Sequence, residues 1–367
     1  MNILEQWRYI DLGRPNPFVA QTFYEAVAEA VSNDKSPNTL IMLNPGAPYV
    51  CIGYHQNINV EVDVKYCEEN NLPIVRRGQG GGATYLDGNQ VFYQIIAKNS
   101  EVVPKQVDEM FRRLLAVTVK VYQRLGVTSA KYKPLNDVVA NGKKISGNGA
   151  SLHDKASILV GNFIMDMDFD RMARVLKVPN EKFRDKMAKS MQEWVTTLKR
   201  ELIEVPSPEI IKKVYVEEIQ RILGIKLAKS EITQEEWSLF NNKLLPIYTS
   251  REWLYMEAPY STRHPGRAVK IAHDVKVVEV DYKAGKLIRL RAEVKGKEII
   301  DIRITGDFFA TPKETIFQLE EDLKGKKLEE TQLQSTITRF YAETGVETPG
   351  ITPEDVVQAL MKLKTLL

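Results

Sequence analysis

Cysteine and histidine are scarce in this chain of 367 residues, with two of the first and four of the second. Cys51 and Cys67 form no CxxC pair and no regular spacing, which excludes a disulfide framework and a cysteine-rich zinc site. Both are expected to be buried as small apolar residues, Cys51 in the strand-like YVCIG and Cys67 on the helix-like EVDVKYCEEN. His55, His153, His264 and His273 show neither HxxxH nor HExxH, so a protein-built metal site is not expected. No apolar run approaches the roughly 20 residues that span a bilayer. The first residues, MNILEQWRYIDLGRP, lack the charged and apolar regions of a signal peptide. A cytoplasmic protein with no membrane contact is therefore expected. Neither sign of charge dominates: 51 Lys and Arg against 48 Asp and Glu leave a net charge of +3. That balance gives no dedicated nucleic-acid binder, although it permits a local basic site.

What is present is an ordinary globular composition, 43% hydrophobic and 27% charged, with a length that suggests two domains. Val19–Val31 has the apolar spacing of an amphipathic helix. TLIML (39–43), YVCIG (49–53), LPIVRR (72–77), NQVFYQIIA (89–97) and SILVGNFIMD (157–166) read as strands, and Pro104–Leu125 as a long helix. In DVVANGKKI (137–145), Asn141-Gly142 favours a tight type I′ hairpin turn. Thr233 and Glu236 form a capping box. Residues 244–266 are aperiodic and Pro-containing, as in a connector. Three strands near 268–281, 286–295 and 298–305 follow. Helices are expected to open at Thr311-Pro312-Lys313-Glu314 and at Thr352-Pro353-Glu354. The expected division is 1–245, a linker at 246–261, and 262–367, without internal repeats.

The most informative stretch is IVRRGQGGGATYLDGNQVFYQII (74–96). Gly78 and Gly80–Gly82 leave the backbone bare, so its amides can approach an anion, and Arg76 and Arg77 add permanent positive charge beside it. Gly78-x-Gly80-x-x-Ala83 formally matches a dinucleotide fingerprint. That motif needs a helix to follow, and the aromatic and β-branched residues here predict strand–turn–strand instead. No GKS or GKT is present, which excludes a P-loop. The second stretch is KPLNDVVANGKKISGNGAS (133–151). Its lysines, near Asn136-Asp137, could set an ammonium against a phosphate and a carboxylate near Mg²⁺, as nucleotide-dependent acyl activation requires.

Together these stretches resemble the lipoate–protein ligase A family of the biotin/lipoyl ligase superfamily. The resemblance is carried by Arg76-Arg77-Gly78-Gln79-Gly80-Gly81-Gly82-Ala83, by Asn136-Asp137 with Gly142-Lys143-Lys144-Ile145-Ser146-Gly147, by Gly53-Tyr54-His55-Gln56-Asn57, by KFRDKMAKSMQEWVTTL (182–198), and by ITGDFFATPKETIFQLEEDLKG near the end. It implies an α+β ligase domain with a mixed sheet and flanking helices, and a small α+β accessory domain. It also implies a two-step reaction: lipoate or octanoate and ATP, with Mg²⁺, give an acyl-adenylate, and the acyl group passes to one lysine of an apo lipoyl domain. The implied acceptors are the E2 subunit of a 2-oxoacid dehydrogenase or the H protein of glycine cleavage. Carried over by position, Lys144 is the catalytic residue and touches both ATP and lipoate. Arg77, Gly82, Ala83, Thr84, Tyr85, Asn136 and Asp137 fall to ATP, with Asp137 a Mg²⁺ contact. Arg76, Gly80, Gly81 and Gly147 fall to lipoate, and 244–266 would be a hinge.

The sequence departs from the family pattern at several positions. Leu86 stands for His, Gln79 for Ser, Asn148-Gly149 for Ser-Ala, Val160-Gly161-Asn162 for His-Gly-Thr, and Trp194 for Arg. Three other readings stay open. An octanoyl transferase of this fold would work through a cysteine thioester, and GVTSAKYKPLN (126–136) holds no cysteine. Biotin ligation would show a GRGR-type loop. A non-catalytic ligand-binding relative would account for the changes at 86, 160 and 194.

Overall fold

The computed structural model describes residues 4–178, 180–256, 266–270 and 274–367. They divide into two compact units. The first holds the chain to Cys51, Val62–Arg77 and Thr84–Leu254; the second holds Ile52–Glu61, Gly78–Ala83 and the chain from Tyr255. Among the described residues no helix is long and apolar enough to cross a membrane.

The strands of the first unit are β1 (Glu5–Asp11), β2 (Thr39–Leu43), β3 (Tyr49–Ile52), β4 (Ile74–Arg76), β5 (Thr84–Leu86), β6 (Gln90–Lys98), β7 (Lys131–Lys133), β8 (Asp137–Ala140), β9 (Lys143–His153), β10 (Ala156–Ile164) and β11 (Ile225–Lys229). Eight of them form one mixed sheet in the order β11-β1-β2-β6-β10-β9-β8-β7, and β4-β3-β5 form a small second sheet. Within the eight-stranded sheet β1 runs parallel to β2 and β11, and the other pairs are antiparallel. The helices used below are α1 (Pro17–Thr22), α2 (Tyr24–Ser32), α3 (Val107–Arg124), α4 (Glu181–Trp194), α5 (Pro208–Leu223) and α6 (Gln234–Leu239).

Strand alternation explains how one sheet serves two cores. Successive side chains point to opposite faces, so Val91, Tyr93, Ile95 and Ala97 of β6 join the core of α3 and α5. Phe92 and Ile96 join that of α1 and α2 on the other face. The helix expected over Val19–Val31 is two helices meeting at Phe23. The Thr22 hydroxyl donates to the Phe18 carbonyl at 2.7 Å, a back-bond of the kind that bends helices.

The second unit carries the antiparallel strands β12 (Arg267–Lys270), β13 (Val275–Lys283), β14 (Leu287–Lys295) and β15 (Glu298–Gly306), adjacent in chain order. The helices α7 (Thr315–Leu323), α8 (Glu330–Thr344) and α9 (Pro353–Lys364) complete it. Ile288, Leu290, Ala292 and Val294 alternate along β14 and pack in one core with Leu319, Ile337 and Leu360. A mixed-sheet α+β unit and a smaller α+β unit are the fold that the resemblance implied.

Three expectations change. Four strands stand where three were expected, because 268–281 is divided between β12 and β13, with 271–273 outside the described residues. Thr311 does not cap a helix; its backbone exchanges two 3.0 Å hydrogen bonds with Glu347, and the helix begins at Thr315. The stretch read as a connector starts with helical turns at Leu245–Tyr248 and Arg251–Tyr255. The rest of the expected linker and hinge, 257–265, lies outside the described residues, as do His264 and His273.

Candidate functional site

The hairpin β8–β9 presents the candidate lysine. Asn141 and Gly142 both have positive φ, 49° and 80°, as a type I′ turn demands. Register then decides which way Lys144 points. Asp137 pairs with Gly147 and Val138 with Ser146, but Val139 pairs with Lys144, so Ile145 is an extra residue in β9. In unbroken register Lys144 would oppose Ala140 and face away from Asp137. The bulge turns it to the Asp137 side, and Lys144 Nζ lies 2.7 Å from Asp137 Oδ1. On its other edge Lys144 bridges to Val195, and the Thr196 amide donates to the Lys144 carbonyl at 2.8 Å.

Behind this pair lies a buried polar network. Asn136 Nδ2 donates to the Asn148 carbonyl at 2.6 Å and Asn148 Nδ2 to the Asn136 carbonyl at 2.9 Å. Asn148 Oδ1 accepts from Tyr93 Oη at 2.6 Å, which in turn accepts from the Thr118 hydroxyl at 2.8 Å. Burial pushes the Tyr93 hydroxyl well above its ordinary pKa, so it stays a donor. Gly161 makes room for this contact: a Cβ there would lie 2.2 Å from Asn148 Oδ1 and 2.3 Å from Tyr93 Oη. Gly147 is held separately, its amide donating to Asn162 Oδ1 at 2.8 Å, and Asn162 Nδ2 donates to Gln90 Oε1 at 2.7 Å. The structure thus brings Asn136, Asp137, Lys144 and Gly147 together. Tyr93 and Thr118 carry no signal in the sequence, because a contact between a strand and a distant helix leaves no local pattern; Asn162 stands out there only as a departure from the family pattern.

The adjacent arginines part company. Arg77 donates to Cys51 Sγ at 3.3 Å and remains half-buried. Arg76, expected on lipoate, is fully buried and has a structural role. Its guanidinium donates to the Trp253 and Leu254 carbonyls at 3.0 and 2.7 Å, satisfying the end of a short helix, and Trp253 Nε1 returns a 3.0 Å bond to the Arg76 carbonyl. Thr84 and Tyr85 pair with Cys51 and Val50. The Tyr85 amide, expected on ATP, donates to Met172 Sδ at 3.0 Å.

A strand, β5, follows the glycine loop, which removes the dinucleotide reading. The loop itself belongs to the second unit. A Cβ on Gly80 would lie 2.1 Å from the Phe308 carbonyl oxygen, which also accepts from the Gly81 amide at 3.3 Å. Next to it the Gly306 amide donates to the His55 carbonyl at 3.1 Å, and the His55 ring stacks on Phe308 at 4.9 Å. The faces of Gly80 and Gly81 expected on lipoate are thus covered by the backbone of Phe308, whereas Gly82 is exposed and Ala83 half-buried.

Both thiols are buried, as expected. Burial raises the Cys51 pKa and takes that of Cys67 to about 12. Among the described residues Glu29, His153 and Asp154 bring three metal-type ligand atoms within 4.8 Å. His153 Nε2 is already bonded to Glu29 at 2.7 Å.

Residues 16–220 match the lipoyl protein ligase A/B catalytic domain, and residues 279–360 the bacterial lipoate protein ligase C-terminus. A lipoate–protein ligase of Streptococcus pyogenes is 27% identical over 300 residues, 79% of this chain and 82% of that protein. The octanoyltransferase LipM of Kyrpidia tusciae is 25% identical over 274 residues, 69% of this chain and 99% of that protein. Among solved structures, a bi-partite lipoate protein ligase of Thermoplasma acidophilum, studied with its E2 lipoyl domain, superposes with a TM-score of 0.61. It is 27% identical and covers 71% of this chain and 98% of its own.

Proposed function

The chain belongs to the lipoyl protein ligase A/B family, and from that premise we propose that it is an ATP-dependent lipoate–protein ligase. In the first step the carboxylate of lipoate or octanoate attacks the α-phosphate of ATP. An acyl–phosphate bond forms and pyrophosphate leaves. In the second step the ε-amine of an acceptor lysine attacks the acyl carbon, forming an amide and releasing AMP. The acceptor is an apo lipoyl domain, of an E2 subunit or an H protein.

Lys144 is the catalytic group. Its ammonium stabilises the charge that builds on the α-phosphate and on the acyl oxygen. Asp137, 2.7 Å away, fixes its direction. The Gly147 amide is already committed to Asn162, so Gly147 serves lipoate through the absence of a side chain. Arg77, Gly82, Ala83 and Thr84 are assigned to the phosphates, and Asn136 to holding the Lys144 strand in register. Asp137 fits a Mg²⁺ contact, since that ion is commonly held by one or two carboxylates together with substrate phosphates. When bound, Mg²⁺ would neutralise phosphate charge.

The burial of both thiols favours the ligase over an octanoyl transferase. Acyl transfer through a thioester needs an accessible thiolate, and Cys51 and Cys67 are 1% and 0% exposed, with raised pKa values. The test is the intact mass of an apo lipoyl domain incubated with the protein, lipoate, Mg²⁺ and ATP. Matched reactions omit ATP or supply octanoyl carrier protein in place of free acid. A lipoyl mass increase that requires ATP is expected. An increase from the carrier protein alone would replace the ligase reading with a transferase.

A further inference from the structure

The helix α4 ends one residue before Val195, the residue that bridges to Lys144. Its underside is firmly held. Arg184 is buried, donates to the carbonyls of Ala173, Arg174 and Leu176 at 2.7, 2.9 and 3.2 Å, and pairs with Glu181 at 3.2 Å; Ala188 is buried beside it. At 3.6 residues per turn Phe183, Met187, Ser190 and Trp194, at intervals of four, three and four residues, form one stripe flanking this anchored side, with Met187 and Ser190 half-buried. Phe183 is 54% exposed and Trp194 68%. Two large exposed aromatics on one stripe, with half-buried Met187 between them, are more than the single scattered apolar residues of an ordinary wet surface.

Beside the stripe Lys182, Lys186 and Lys189 make a second row with the same spacing. All three are exposed, and among the described residues none forms an ion pair. Asp185 and Glu193 lie on the same flank, so the row is basic without being uniform.

We propose that this face of α4 docks the acyl acceptor domain, with Trp194 and Phe183 as apolar anchors and the lysine row meeting an acidic rim on that domain. The proposal rests on acyl transfer to a protein lysine, by the ligase or by the transferase route. Continuity favours this occupant over others. The acceptor lysine must reach the acyl group held by Lys144, and the stripe runs directly into the strand segment paired with Lys144. Aromatic anchors inside a charged rim are the usual build of a protein-docking patch, and opposite charge on the partner speeds encounter.

The test measures binding of an apo E2 lipoyl domain to the full chain by titration calorimetry, for wild type, Phe183→Ser/Trp194→Ala, and Lys182→Glu/Lys186→Glu/Lys189→Glu. Each variant is expected to raise the Kd at least tenfold, the charge variant more strongly at low salt, with unchanged thermal melting. Lipoate-dependent pyrophosphate release, recorded in parallel, should match wild type in the lysine variant. An unchanged Kd in a folded Phe183→Ser/Trp194→Ala variant would overturn the proposal. So would loss of self-association, or of binding to anionic phospholipid vesicles, in that variant while acceptor binding persists. Absence of pyrophosphate release in every protein, with tenfold weaker acceptor binding in the variants, would remove the ligase reading and leave the docking face standing.

Discussion

At the scale of single residues, direction matters more than type. Arg76 and Arg77 look alike in a sequence, but the alternation of an extended chain sends neighbouring side chains to opposite sides. One guanidinium ends against the Trp253 and Leu254 carbonyls and the other beside Cys51. Arg76→Ala should therefore cost about 1.5–3 kcal/mol, the range for hydrogen bonds to a charged group, seen as a lower melting temperature. Arg77→Ala should melt like wild type and weaken ATP binding in a nucleotide titration. Lys144→Ala should abolish pyrophosphate release while the fold persists; near-normal release from a folded variant would remove Lys144 from the chemistry. Gly161→Ala should break the Tyr93–Asn148 contact at a cost of about 1–3 kcal/mol, as overpacking does, measurable by urea unfolding. The closeness of Lys144 to Asp137 was legible in the sequence, because one hairpin brings them together. The structural use of Arg76 was not, since its partners lie 177 and 178 residues away.

Among elements, those with their own capping chemistry could be read from sequence and those held by remote groups could not. Thr233 and Glu236 form the expected capping box, and Thr352 caps α9 with Asp355. The turns at Leu245–Tyr248 and Arg251–Tyr255 are too short to hold themselves; the second is finished by Arg76 from β4. The bulge at Ile145 was also invisible, because register is a property of two strands. Glu236 shows how a legible cap can hide a larger role. Its carboxylate also takes both guanidinium nitrogens of Arg8 and the Ser36 hydroxyl, with Arg8 and Glu236 5% and 1% exposed. Losing a cap alone costs about 1 kcal/mol, whereas leaving a buried charge without its partner costs about 3–5 kcal/mol. Glu236→Ala should fall in the second range by denaturant unfolding.

For the molecule as a whole, pH should act through the second unit. Glu320 is buried, and burial raises its pKa to about 7 although the Ile304 amide and Arg303 both bond to it, at 2.6 and 2.8 Å. Its folded pKa exceeds the unfolded value near 4.5, so the folded form binds the extra proton. That contribution is complete below about pH 4.5 and is lost as the pH rises to about 7, up to about 3 kcal/mol. Protection factors of the amides in β15 and α7, taken relative to the intrinsic base-catalysed exchange rate, should fall across that window in wild type. In Glu320→Gln they should not; an equal fall in both would assign the effect elsewhere. The two-unit fold was evident from the sequence, but the boundary is not a single cut. The chain passes into the second unit at Ile52–Glu61 and again at Gly78–Ala83, long before the C-terminal strands begin.

That interleaving has a consequence for synthesis and for engineering. While the polypeptide emerges from a ribosome, the Phe308 carbonyl that covers Gly80 and Gly81 does not yet exist. Both early segments must wait for more than two hundred further residues before their neighbours are made. For the same reason the C-terminal third is no interchangeable cassette. Grafted onto another protein, it would bring strands, helices and Phe308 but leave behind the turn around His55 and the glycine loop that complete it.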